Sequence, residues 1–113
     1  MTREEMQKQL LTSIRQYNVR AAAVLAKAMV EGGPDRVAEL EAQYDALRTA
    51  YFDLVRARLD ENNLEFESLL RQTSDASVAI DASLSKLESS AKVLNAIADA
   101  TNLARRILDV AKV

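Results

Sequence analysis

The chain has 113 residues, enough for one domain, with two Gly, one Pro and no His or Cys. So few turn-forming residues exclude a β-rich fold, and the missing imidazoles and thiols exclude disulfides, thiol chemistry and the usual transition-metal ligand sets. The net charge of −2 leaves no global basic field for nucleic acid.

Charge is unevenly spread. Residues 1–30 carry five Lys/Arg against two Glu, residues 31–70 carry four Arg against ten Asp/Glu, and residues 71–113 are near balance. An acidic middle between two mildly basic flanks suits helices packed side by side.

The first element is expected over residues 3–31. Thr2 can cap it, with Glu5 three positions on to complete a capping box and Met1 and Met6 at staple positions. This reads as a helix start, not a signal-peptide plan. An apolar seam follows through Met6, Leu10, Ile14 or Tyr17, Ala21, Val24 or Leu25, and Ala28, at spacings of three and four. Gly32 is expected to close the helix in a left-handed cap. Pro34 opens the next helix, with Asp35 at its positive end.

The second element begins on a heptad seam of Val37, Leu40, Tyr44, Leu47, Tyr51 and Leu54. Its end has two candidates. Asp60-Glu61-Asn62-Asn63 carries turn-prone residues, and Gln72-Thr73-Ser74-Asp75 offers a new N-cap. The second is preferred because it yields helices at 35–72 and 75–112 of equal length, about 57 Å each by helical rise. In the third helix a narrow seam of Ile80, Leu84, Leu87 and Ala91 runs among serines. From Val93 onward the apolar arc covers more than half the circumference.

The expected fold is therefore all-α, an up-down-up antiparallel bundle of three long helices forming a single domain over residues 1–113. In it the ends of helices 1 and 3 meet beside Gly32-Gly33, where their combined apolar surface exceeds what three helices hide. Ala22, Ala26, Val30, Val93, Ile97, Ala100, Leu103, Ile107 and Val110 are the candidate partner or oligomer interface, with a homodimer favoured over a different helical partner.

No catalytic, metal or cofactor site is expected. The carboxylates of helix 2 follow no ligand pattern, the serines have no imidazole base, and Ser83 and Lys86 lie on an exposed strip. Gly32-Gly33 lacks a phosphate-loop pattern and is flanked by Glu31 and Asp35. No apolar run approaches the ~20 residues of a membrane span. The expectation is a non-enzymatic, cytoplasmic interaction protein that self-associates and binds through helices 1 and 3. Its alternatives are a small chaperone or export-associated factor shielding apolar segments, and, third, a nucleic-acid-associated regulator using Arg15, Arg20 and Lys27.

Overall fold

A computed structural model describes all residues, Met1–Val113, and contains no strand pairing beyond one isolated bridge between Leu59 and Lys112. Three helical elements make the fold: α1 (Arg3–Arg56), α2 (Phe66–Ser85) and α3 (Ser90–Ala111). A straight helix of 54 residues would be about 81 Å long, yet the longest dimension of the molecule is 46 Å. The helix folds back at Gly33, whose φ of 70° and ψ of −164° are not helical. Residues 3–32 form a first arm and residues 34–56 a second.

The capping box is present as expected. Thr2 Oγ1 accepts from Glu5 N at 3.1 Å, and Thr2 N donates to Glu5 Oε1 at 3.3 Å. The arms run antiparallel. At the far end from Gly33, the Arg3 guanidinium donates to Leu54 O at 2.5 Å and Ala57 O at 2.6 Å, satisfying carbonyls that the end of the second arm leaves open. Midway, Tyr17 and Tyr44 stack with centroids 4.2 Å apart, and the Tyr44 hydroxyl is hydrogen-bonded to Asn18. Burial, then the nearby charges of Glu41, Tyr44 and Asp45, push the Tyr17 phenol up to about 12.

Helix α2 runs parallel to the first arm and is joined to it by polar groups. Gln9 Nε2 donates to Asp81 Oδ2 at 2.9 Å, Ser13 Oγ lies 2.8 Å from Asp81 Oδ1, and the Ser77 hydroxyl donates to Gln9 O at 3.0 Å. Ser13 and Ser77 are both fully buried, so small hydroxyl residues let these two helices approach closely. Helix α3 returns antiparallel to α2. Its start lies beside the Gly33 turn, where Glu31 Oε1 accepts from Ser90 N at 2.6 Å and Arg36 donates to Ser90 Oγ at 2.9 Å. Its end lies at the opposite pole, with Asp60 N donating to Ala111 O at 2.7 Å and Val113 N to Arg58 O at 2.9 Å.

The all-α antiparallel bundle expected from the sequence is present, with two boundaries corrected. The helix expected over 35–72 stops at Arg56. The Asp60–Asn63 candidate is the true break: Asp60 Oδ1 accepts from Asn62 N and Asn63 Oδ1 from Glu65 N, each closing a local turn. Thr73 and Ser74 do not cap. They are buried inside α2, and Thr73 Oγ1 donates to Leu69 O one turn back. The helix expected over 75–112 is broken at residues 86–89, where α2 ends with Glu88 N donating to Ser83 O and Leu87 N to Leu84 O. Those two bonds are a Schellman closure, with Leu87 in the left-handed position at φ 49°. Counting the two arms of α1, four rods enclose one core. Met6, Leu10, Leu40, Leu47, Leu54, Ile80, Leu84, Ile97 and Ile107 are its largest fully buried side chains.

Candidate interaction surface

Four rods bury more than three, and this changes the candidate interface. Val93, Ile97, Ala100 and Ile107 are buried in the chain's own core at 0–2% exposure, and Leu103 and Val110 are half-buried against it. These six side chains do not form an outer face. The wide apolar arc of α3 is the surface a helix needs when it contacts three neighbours. The end of α3 also lies at the opposite pole from Gly33, so the two widest arcs do not converge there.

Ala22, Ala26 and Val30 are exposed. They belong to a stripe on the outward side of the first arm that also holds Val19, Ala23 and Met29. Val19 is 82% and Val30 88% exposed. Every position in the stripe between Val19 and Val30 is apolar and uncharged, whereas its continuation toward the N-terminus is Lys8, Thr12, Arg15 and Gln16. The sequence reading missed Val19, Ala23 and Met29 as members. The available signal was the 4-3-4 spacing of Val19, Ala23, Ala26 and Val30, a second seam on the side opposite Tyr17, Val24 and Ala28.

One edge of the stripe is fastened to the α2–α3 turn. The Lys27 ammonium donates to Leu87 O, and Glu31 accepts from Ser90 N. Hydrogen bonding from Ser90, side chain first and then backbone, holds the Glu31 carboxyl below the usual glutamate range. The folded state thus favours the carboxylate. Its contribution is complete above the ordinary glutamate value of 4.5 and is lost as pH falls through that value toward the lower folded one. Acidification is expected to lower amide protection at Ser90 and the turn, measured relative to the intrinsic exchange rate at each pH, before the rest of the bundle responds. Glu31→Gln should abolish that pH dependence in a residue-resolved exchange measurement.

Elsewhere the surface is polar or discontinuous. A groove of about 540 Å³ between α2 and α3 is lined by Leu64, Ser68, Leu69, Gln72, Asn102 and Leu103, and the 3.1 Å Glu65–Arg106 ion pair sits at its rim. Leu64 there is fully exposed, and Phe52 and Val55 form a separate small apolar spot on the second arm. No three His, Cys, Asp or Glu side chains gather closely enough to hold a metal ion, and no helix is long and apolar enough to cross a membrane. No protein-family model, no curated protein and no solved structure matches this chain.

Proposed function

We propose that the chain is a non-enzymatic interaction protein that self-associates, packing the outward face of its first arm against the same face of a second copy. The observation that carries this reading is the order Val19, Ala23, Ala26, Val30 along an exposed stripe. The order is palindromic. In an antiparallel, two-fold pairing, Val19 meets the partner's Val30 and Ala23 meets the partner's Ala26, so one patch is its own complement. Alanines at the centre allow close backbone approach, and valines at both ends fill the space as the helices diverge.

Charge favours the antiparallel arrangement. Arg15, four residues before Val19, comes level with the partner's Glu31–Asp35 turn, whereas a parallel pairing would set Arg15 beside the partner's Arg15. Energetics favour a weak complex. Each valine contributes roughly 1.5–3 kcal/mol on full burial, while association costs on the order of 4–15 kcal/mol. The dimer is thus concentration-dependent, suited to reversible assembly.

Sedimentation equilibrium over a concentration series reaching the millimolar range tests this directly. The chain should show a monomer–dimer equilibrium, and the double substitution Val19→Asp/Val30→Asp should weaken it by about a hundredfold or more, as expected for opposed desolvated carboxylates. Because both valines are exposed, the melting temperature should stay within a few degrees of the parent. A parent chain that remains monomeric throughout, or a double variant that dimerises equally well, refutes the reading.

A further inference from the structure

The turn that joins α2 to α3 holds one residue that favours a helix boundary, the N-cap Ser89. It contains neither Gly nor Pro. Its left-handed position is held by Leu87 at φ 49°, the one residue other than glycine with positive φ in the chain. An L-side chain pays for that conformation through contact between its Cβ and the following carbonyl. Lys86, Leu87 and Glu88 are strong helix formers. The apolar seam Ile80, Leu84, Leu87, Ala91 and Leu94 passes through the turn at uninterrupted helical spacing of four, three, four and three. Local sequence therefore favours one helix from Phe66 to Ala111, and the fold imposes two.

What keeps the turn closed is chiefly tertiary. Lys27 holds Leu87 O, and Glu31 and Arg36 hold Ser90. The local aid is the N-cap, where Ser89 Oγ accepts from Lys92 N at 3.3 Å. Above all, α3 buries Val93, Ile97, Ala100, Ala104 and Ile107 against the rest of the bundle. A chain that straightened at Leu87 would strip that face bare and leave an α3-shaped vacancy in its own bundle. The same vacancy in a second straightened copy accepts the displaced helix, and each copy then remakes with its partner every α3 contact it lost. The two states differ only at the hinge, and there the straight form is the one the local sequence prefers.

The geometry points to Leu87 as a hinge through which two copies of this chain exchange α3, forming a domain-swapped dimer around a continuous α2–α3 helix. Exchange uses none of the Val19–Val30 face and goes beyond the reversible dimer proposed above. It is best tested with that face disabled, so that failure of one proposal is not mistaken for failure of the other.

In the Val19→Asp/Val30→Asp background, Ala79→Cys and Asn95→Cys introduce the only two thiols, one exposed on α2 and one exposed on α3 at similar distances from the turn. The full chain is spin-labelled, mixed with excess unlabelled protein, unfolded, and refolded at high concentration. Monomer and dimer are then separated by size. In the dimer the intrachain label separation should approach about 24 Å, the length of 16 residues of continuous helix. In the monomer it should reflect neighbouring helices about 8–10 Å apart between axes. Leu87→Gly, which accepts positive φ freely, should lower the yield of this dimer at least tenfold while preserving the monomer. Absence of a dimer after concentrated refolding, a dimer with the short intrachain distance, or a yield unchanged by Leu87→Gly would each overturn the proposal.

Discussion

Replacing Ile97 by Asp is expected to unfold the chain, not merely to weaken its association. Ile97 is 0% exposed and sits midway along α3 among other fully buried residues, Ala100, Ala104 and Ile107. The substitution removes a large core side chain, which alone costs about 2–5 kcal/mol when the site cannot collapse. It also places a carboxyl on a buried face that none of the chain's three ion pairs, all between solvent-accessible side chains, occupies. Several further kcal/mol follow from burying that group, whether it remains charged or takes up a proton. Together these approach or exceed the roughly 5–15 kcal/mol by which domains of this size are stable. Far-UV circular dichroism with urea titration reads the result: little cooperative transition for Ile97→Asp, and a near-parental one for the control Asn95→Asp, whose site on the same helix is exposed. A variant that folded cooperatively and lost only its self-association would put this part of α3 on an outer surface.

The opposite expectation, that Ile97 belongs to an assembly interface, followed from counting three helices where the chain builds four rods. Much of the architecture was legible. The capping box at Thr2, the seam from Met6 to Ala28, the heptads from Leu40 to Leu54 and the reversal at the paired glycines are local signals, and local interactions realise them. Two boundaries were less legible: Asp60–Asn63 stood as the second of two candidates on its turn-prone residues, and the break at Leu87 had no local signal strong enough to place it. At Arg56 the heptad could be continued on paper through Leu59, Phe66 and Leu69. What stops the helix is a clamp between residues 58–60 and the end of α3, distant in sequence. At Leu87 the sequence pattern argues for helix, and the turn exists because α3 must return over the arms of α1. Moving the second break from Ser74 to Asp60–Asn63 left the number of reversals unchanged, whereas the additional break at residues 86–89 reversed α3. That carried the end of α3 from one pole of the bundle to the other and turned a candidate surface into core. Ala22, Ala26 and Val30 kept their exposed positions because they lie on the outer side of the first arm whichever way α3 runs.

The reversal at Gly32-Gly33 is the second place where one substitution should have a large effect, and the two glycines should fail differently. The sequence assigned the left-handed cap to Gly32; the structure assigns positive φ to Gly33. Its φ of 70° and ψ of −164° lie in a region that residues with a Cβ essentially do not enter. A Cβ built there meets nothing within 4 Å, so no side-chain clash contributes. The cost of Gly33→Ala is backbone strain alone, about 1–3 kcal/mol, and should appear as a melting temperature lower by roughly 5–15 °C. D-alanine, introduced by chemical ligation, takes positive φ without that penalty and should restore or exceed the parental stability by restricting the unfolded chain. At Gly32 the backbone is helical, and alanine would gain up to ~1 kcal/mol in helix propensity. Its Cβ, however, would lie 2.6 Å from Arg36 Cβ. Gly32→Ala must therefore displace Arg36 and with it the hydrogen bond to Ser90 that ties the start of α3 to this end of the bundle. Neither L- nor D-configuration at position 33 relieves that contact. Rescue by D-alanine at Gly33 separates a turn set by one residue's φ from a turn set by packing. If D-alanine fares no better than L-alanine, the fold-back of α1 is held by the surrounding rods and Gly33 is only their hinge.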